Sequence, residues 1–257
     1  MNRAKLSSSK PKSLYLLETD KKHLTQKLAS IEKRRTHNPT PKTISLTGQS
    51  VASQHDIPIE QKINLLKNIF RAREDVYARY WISRKTGKTG YSPACKNEWV
   101  RAICKKPNIK CSECPNRELL PITDDILTKH LEDTYSIGIY PMLLDETCYF
   151  LAIDFDGDAW TDNIRAFRET CLQKNIPIAV ERSKSGNGAH IWIFFEEKIP
   201  AGLARKMGSF LITETMTNRY QLSMKSYDRL FPNQDTLPKG GFGNLIALPF
   251  QKDAVNI

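Results

Sequence analysis

The sequence has no long apolar run and no recognisable export signal. None of its 257 residues lie in an uninterrupted apolar stretch close to the roughly 20 residues that a membrane-spanning helix needs. The first residues, MNRAKLSSSKPK, are basic, but no apolar segment follows them, which argues against a secretory signal peptide. The motif G-x-x-x-x-G-K-[ST] is also missing, which excludes DNA unwinding by a P-loop motor in this chain. We therefore expect a cytoplasmic protein with no membrane partner.

Acidic residues are scarce relative to basic ones. The chain has 28 Asp and Glu against 39 Lys and Arg, a formal net charge of +11. Such an excess favours a polyanionic partner, and nucleic acid comes ahead of a membrane surface. The alternative is a basic tail that only keeps the protein in solution.

The composition changes near residue 57. Residues 13–35 carry leucines at helical spacing and end in a basic turn, which predicts one amphipathic helix that either pairs with a partner or covers the core. Residues 36–56 are rich in Ser, Thr and Pro, which predicts a linker. We assign 1–56 to this helix and linker, 57–135 to a helical region with a cysteine cluster, and 136–257 to the core of the protein.

The segments after residue 57 predict a mixed α/β (α+β) fold. IEQKINLLKNIFRAREDVYARYW, from Ile59, has apolar residues on one helical face and predicts a single long helix. Further on, the predicted elements are the strands YFLAIDF, IPIAVERS, HIWIFF and GNLIALPF, and the helices TDNIRAFRETCLQKN, capped by Thr161 or Asp162, and PAGLARKMGSFLITETMTNRYQ. Their order, β-α-β-β-α-β, is that of a ferredoxin-like split βαβ unit (RRM-like), whose sheet would leave one face exposed for a ligand.

Two aspartates end the first of these strands, in FLAIDFDGDAW. Alternate residues of a strand share a face, so Asp154 and Asp156 are expected side by side. Two adjacent carboxylates repel each other unless a cation or a proton intervenes, and Mg²⁺ and Mn²⁺ prefer such carboxylates together with phosphate oxygens. We predict a divalent-metal site here, with Asp158 as a lesser candidate. The alternative is a strand that simply ends in solvated acids.

A glycine-rich turn joins the next two strands, in ERSKSGNGAHIWIFF. Glycine amides can approach a phosphate closely because no Cβ intervenes. His190 follows the turn, in a strand expected beside the one that carries Asp154. The predicted phosphate-binding residues of the turn are Arg182, Ser183, Lys184, Ser185, Gly186 and Gly188.

A third carboxylate is expected in SYDRLFPNQD, because two acids only partly neutralise two divalent ions. Asp228, between Tyr227 and Arg229, is one candidate, and Asp235, seven residues further on, is its rival.

Four of the six cysteines lie close together in the sequence. Cys95, Cys104, Cys111 and Cys114 have the spacing C-x₈-C-x₆-C-x₂-C, and C-x₂-C is the usual chelating half of a zinc site. We predict a zinc knuckle that could help to hold a template or primer; unrelated buried thiols are the alternative. Cys148 and Cys171 lie on apolar faces and are predicted to be core residues.

Taken together, AIDFD, SGNGAHIWIFF and YDRLFPNQD…GGFGNLIALPF resemble the three motifs of the archaeo-eukaryotic primase superfamily, and especially the primase domain of the primase–helicase proteins of TOTE conflict systems. The likeness extends over residues 60–257. It implies a primase/polymerase catalytic core that adds nucleotides to a 3′-hydroxyl with release of pyrophosphate. The implied cofactors are two Mg²⁺ or Mn²⁺ ions and zinc, with a nucleoside triphosphate as substrate.

Transferred residue by residue, the resemblance makes Asp154, Asp156 and Asp228 the metal ligands. It implies that His190, with the 183–188 turn beside it, contacts the phosphates of the incoming nucleotide. It also implies single-stranded DNA as template, helicase and nuclease partners, and a role in conflict with mobile elements. A metal-dependent nuclease, or a non-catalytic zinc-containing nucleic-acid-binding fragment, is the competing interpretation.

Two departures from the family pattern stand out. Gly188 occupies the position that serine often holds in the S-x-H element, so backbone amides replace one hydroxyl contact. Family members usually continue past the LPF strand and then into a helicase, whereas this sequence stops at Ile257, so the resemblance predicts a catalytic core truncated at its C-terminus, as in a domain fragment or a degenerate gene product.

Overall fold

The computed structural model describes residues 57–184, 186–219 and 226–251. The predicted helix at 13–35, the linker at 36–56 and Ser185 lie outside these residues. The elements are α1 (Ile59–Ile69), β1 (Ala78–Ile82), β2 (Thr89–Pro93), α2 (Asp124–Leu131), β3 (Ile137–Ile139), β4 (Thr147–Asp156), α3 (Trp160–Gln173), β5 (Ala179–Arg182), β6 (Gly188–Pro200), α4 (Ala201–Asn218), β7 (Tyr227–Phe231) and β8 (Ile246–Ala247). Within the described part of the chain, no helix is long and apolar enough to cross a bilayer.

The first sheet has the strand order β5-β6-β4-β7 and is antiparallel throughout. With α3 and α4 it gives the β-α-β-β-α-β sequence of the predicted split βαβ unit. The prediction of the last strand was wrong. The last strand of the split βαβ unit is β7. The segment GNLIALPF, which was predicted to form it, contributes only the two residues of β8, and these pair with β3 in the second sheet. The segment was misassigned because a short buried strand has the same apolar pattern whichever sheet it joins.

The two faces of the first sheet are buried differently. Leu151, Ile153 and Phe155 point towards α3 and α4 and form one core with them. Phe150 and Trp192, on the opposite face, pack in a second core with residues of α1 and of the second sheet. The prediction of an exposed sheet face was therefore wrong for most of that face. What stays accessible is the end of β4, where the apolar residues give way to acids.

The second sheet has the order β2-β1-β3-β8 and replaces part of a predicted helix. The helix expected from residue 59 through the tryptophan at 81 ends at Ile69, and Ala78–Ile82 is a strand instead. Between the two, Arg73 is buried and donates two hydrogen bonds to the carboxylate of Asp75, at 2.9 and 2.5 Å. The following aromatic and β-branched residues favour a strand, and the cross-strand pair Tyr80–Tyr91 stabilises it.

The remaining local predictions have mixed outcomes. Helix α3 begins at Trp160 with Ala159 as its N-cap and no side-chain cap, so the cap predicted at Thr161 or Asp162 was wrong. Cys148 and Cys171 are fully buried, as predicted, and burial raises the pKa of each thiol to about 12.

Candidate active site

Three carboxylates meet at the open end of the first sheet. Asp154 and Asp156 come from one face of β4, as the alternation predicts, and Asp228 comes from the neighbouring strand β7. One oxygen from each lies within 4.8 Å of the other two. Among the described residues, these three form the one group of three or more His, Cys, Asp or Glu ligand atoms this close together. Asp235 lies elsewhere, paired with Arg205 at 2.7 Å.

Asp228 reaches the other two acids because β7 contains a bulge. In the pairing with β4, Asp154 is opposite Arg229 and Phe155 is opposite Tyr227, so Asp228 is an extra residue in its strand. A bulge of this kind re-aims a side chain, and bulges are frequent beside active sites. The start of β7 is held by Ser226, whose backbone carbonyl accepts a hydrogen bond from the amide of Asp156 at 2.7 Å. The bulge thus turns the third carboxylate towards the β4 pair.

The electrostatics of Asp154 are unfavourable without a cation. The pKa of this carboxyl is raised to about 6: burial is the largest cause, the charges of Asp156 and Asp228 act in the same direction, and His190 and Arg229 oppose them. Its buried Oδ1 accepts no hydrogen bond among the described residues. The nearest cationic group, Nε2 of His190, is 3.5 Å away, which is too far for a strong hydrogen bond.

These features fit a hard divalent cation. Such ions bind carboxylate oxygens, and an ion beside Asp154 would satisfy the unpaired oxygen and offset the mutual repulsion of the three acids. Arg229 already bonds Oδ2 of Asp228 at 2.6 Å, which leaves the other oxygen of that carboxylate for a ligand.

His190 lies directly opposite Asp154 on β6, as the sequence predicts, and a second acid holds it there. Oε2 of Glu181 accepts hydrogen bonds from Nδ1 of His190 at 3.0 Å and from Nε1 of Trp192 at 3.1 Å. Since a carboxylate only accepts, Nδ1 carries the proton and Nε2 faces Asp154. Burial lowers the pKa of His190, but Glu181, Asp154 and Asp156 outweigh it, so the net shift is upward.

Sequence reasoning missed Glu181. The signal was available, because Glu181 and His190 stand opposite each other once IPIAVERS and HIWIFF are aligned as a hairpin.

Several of the groups predicted to bind phosphate already have hydrogen-bond partners within the protein, most of them in the turn itself. Arg182 donates two hydrogen bonds to the carbonyl of Gly186, at 3.1 and 3.0 Å. The amide of Ser183 donates to Gly188, and that of Gly186 donates to Ser183, each at 2.9 Å. Lys184 points to Asp133 and to the hydroxyl of Ser136, 3.4 Å from each.

The four clustered cysteines line one small cavity of about 20 Å³, which has room for a single ion or water. Four thiolates suit zinc as a donor set. The four sulfur atoms are farther apart than the oxygens of the aspartate cluster, since among the described residues no three cysteine sulfurs lie within 4.8 Å of one another. The donor set and the cavity fit the metal, and the sulfurs would have to draw together around it.

Comparison with known protein families identifies the family of the chain. The family model described as the archaeo-eukaryotic primase domain of TOTE conflict systems matches residues 61–256. Among curated proteins, none matches the chain. The matched range contains both sheets, the three aspartates and His190, and it confirms the resemblance drawn from the motifs. The chain therefore belongs to the archaeo-eukaryotic primase domain family of TOTE conflict systems, a family of the primase and nucleotidyltransferase type.

Proposed function

We propose that the chain is a template-dependent nucleotidyltransferase that extends a 3′-hydroxyl along single-stranded DNA. The observation that carries this proposal is the convergence of Asp154, Asp156 and Asp228 within 4.8 Å in a chain of this family. The hydroxyl oxygen forms a bond to the α-phosphorus, the bond from that phosphorus to the bridging oxygen breaks, pyrophosphate leaves, and the hydroxyl proton passes to solvent.

Each residue has a positioning or electrostatic role in this reaction. The three aspartates would hold two Mg²⁺ or Mn²⁺ ions, which would supply Lewis-acid stabilisation of the attacking and leaving oxygens. His190, oriented by Glu181, presents Nε2 beside the acids; in the imidazolium form, which its raised pKa favours, both ring nitrogens carry a proton and Nε2 would donate to a phosphate of the incoming nucleotide. The 182–188 turn would border the triphosphate, and its lysine would exchange Asp133 for phosphate.

The test is incubation of the purified chain with a labelled primer on a single-stranded template, nucleotides and Mn²⁺. Longer products are expected. Shorter products would instead support the metal-dependent nuclease, and template binding without any change in primer length would support the non-catalytic module. Parallel reactions with ribonucleotides and deoxyribonucleotides show which sugar is accepted.

We further propose that Cys95, Cys104, Cys111 and Cys114 bind one structural zinc ion. Elemental analysis of the purified protein is expected to find about one zinc per chain. The double variant Cys111→Ser/Cys114→Ser should lose the metal, while Cys171→Ala, which removes a buried thiol outside the cluster, should retain it. Equal zinc content in all three proteins would contradict the assignment.

Family membership also motivates a proposed role in conflict between a host and mobile elements, with helicase and nuclease partners. In that setting the chain would supply the nucleotide-adding activity, and strand unwinding would fall to the helicase partner.

A further inference from the structure

A wide groove lies outside the aspartate cluster, between the β1–β2 hairpin and the cysteine-rich segment. Its volume is about 670 Å³, far larger than the cysteine cavity. The hairpin contributes Arg79, Trp81 and Tyr91 to its lining, and the cysteine-rich segment contributes Trp99 and Lys106. None of these residues has a part in the proposed nucleotidyl transfer.

Two tryptophans in the groove are exposed to solvent. Trp81 is 43% exposed and Trp99 is 69% exposed, although large aromatic side chains are usually well buried. The indole of Trp81 lies across Gly90, where an added Cβ would come within 2.9 Å of Cζ2. Trp99 has a φ of 61°, an unfavourable backbone conformation for a bulky residue. Local structure therefore holds both rings at the surface.

The rings are surrounded by positive charge. Residues 78–112 contain nine Lys and Arg and a single acid, Glu98. That acid is already neutralised, because it accepts from Lys106 at 2.7 Å and from Ser92 at 3.0 Å. Lys106 also lies 5.6 Å from the centre of the Trp99 ring. Seven further Lys and Arg of residues 78–112 are exposed but do not line the groove: Arg84, Lys85, Lys88, Lys96, Arg101, Lys105 and Lys110.

We propose that this groove binds single-stranded nucleic acid, with unpaired bases stacked on Trp81 and Trp99 and the phosphates held by the surrounding Lys and Arg. Aromatic rings beside a basic channel are the usual way to bind single strands without reading their sequence. A duplex does not fit this chemistry, because its bases are already stacked on one another. An acidic peptide would use the charges but would leave the two exposed indoles without a role.

One residue links the groove to the aspartate site. The carbonyl of Ser136 accepts from the amide of Tyr80, next to Trp81 in β1, at 2.9 Å. The hydroxyl of the same serine lies 3.4 Å from Nζ of Lys184, in the turn beside His190. A strand held in the groove would thus lie near the turn; that it serves as the template rests on the proposed function.

The test measures binding of fluorescently labelled oligothymidylate by anisotropy, in buffer free of nucleotides and divalent metal. Trp81→Ala and Trp99→Ala are each expected to weaken binding by between about 5-fold and 100-fold, the range measured for loss of a stacked base. Trp99→Phe should retain most of the affinity because it keeps a ring. The matched control is Phe210→Ala. Phe210 lies on α4, away from the groove, and its exposed ring also has a lysine nearby, because Nζ of Lys174 is 5.2 Å from the ring centre.

Three competitors define the ligand: single-stranded RNA, duplex DNA and polyglutamate. Both single strands should compete more strongly than the duplex, and the affinity should fall as salt rises because phosphate contacts release counterions. The proposal is overturned if both tryptophan-to-alanine variants bind as the wild type does, if duplex DNA binds as tightly as the single strand, or if polyglutamate displaces the oligonucleotide equally well.

The assay separates this proposal from the proposed function. If the wild type does not extend a primer, but binds single strands and the variants Trp81→Ala and Trp99→Ala do not, the groove proposal is supported and the nucleotidyltransferase proposal is contradicted. If the wild type extends primers and both variants bind single strands and extend primers as well as the wild type does, the nucleotidyltransferase proposal is supported and the groove proposal is contradicted. Melting curves show whether either exposed substitution has disturbed the fold.

Discussion

Replacing Asp154 with asparagine is expected to abolish nucleotide addition and, at the same time, to raise the melting temperature of the metal-free protein. Removal of one carboxylate from the aspartate cluster costs several kcal/mol of transition-state stabilisation, which corresponds to a rate loss of about 1000-fold or more. Primer extension in Mn²⁺ measures this loss. Asp158→Asn is the matched control, because Asp158 follows the same strand but is not part of the cluster.

The gain in stability follows from the raised pKa of Asp154. A shift from 3.8 to about 6 corresponds to about 3 kcal/mol, and because 16% of the side chain stays exposed we discount it to about 1 to 2 kcal/mol. For a domain of this size that is about 2 to 8 °C in melting temperature. The unfolded chain ionises this carboxyl at lower pH than the folded protein does, so wild-type stability falls as pH rises from about 4 to 6.

The advantage of Asp154→Asn should therefore be absent below about pH 4 and complete above about pH 6, in thermal melts run without divalent metal. Added Mn²⁺ should reverse the order, because it stabilises the wild type alone. A variant that is less stable than the wild type at pH 7 without metal would contradict the electrostatic account, whatever its activity.

Replacing Gly188 with alanine is expected to damage both the fold and the activity. A Cβ at this position would lie 2.2 Å from Oδ1 of Asp156 and 2.5 Å from the carbonyl oxygen of Phe155. The second atom belongs to the backbone of β4, so β6 would have to move away from it. We expect a loss of about 1 to 3 kcal/mol in the free energy of unfolding and at least a 100-fold loss in primer extension, because Asp156 is displaced.

Gly87→Ala serves as the control for the Gly188 variant. Nothing lies within 4 Å of an added Cβ at Gly87, although its φ of 67° carries a strain cost of about 1 kcal/mol. Denaturant unfolding and primer extension on the two variants should separate strain from collision, since Gly87→Ala leaves the activity intact. Normal activity in Gly188→Ala would contradict the close packing at this point. The same packing explains why glycine suits position 188 of this chain.

Much of the site was predictable because strand periodicity is local information. The apolar run before Asp154 specifies a buried strand, and the alternation alone places Asp154 and Asp156 on one face. His190 follows from the turn that precedes it. Asp228 was preferred over Asp235 because Tyr227, Asp228 and Arg229 fit the hydrophobic-Asp-basic motif of the family that the sequence resembles. Its position in the bulge could not be predicted, because a bulge depends on the pairing of two strands distant in sequence.

The errors arose where non-local pairing decides the structure. VYARYWI is compatible with a continuation of the helical pattern, and it becomes a strand because β2 and β3 pair with it. The two residues of β8 join the second sheet through contacts with β3, more than 100 residues earlier in the chain. In the sequence, Glu181 is one acid among many, and only the register of β5 against β6 places it opposite His190.

Because of the bulge in β7, the three acids differ in how firmly the backbone holds them. Asp154 and Asp156 belong to a strand that is hydrogen-bonded on both sides, so their positions are those of a rigid platform. Asp228 is the unmatched residue of an outer strand, with no further described strand beyond it. If these acids hold the proposed metal ions, a change in ionic radius or coordination number would be absorbed on the β7 side, and the site would have two stationary ligands and one compliant one.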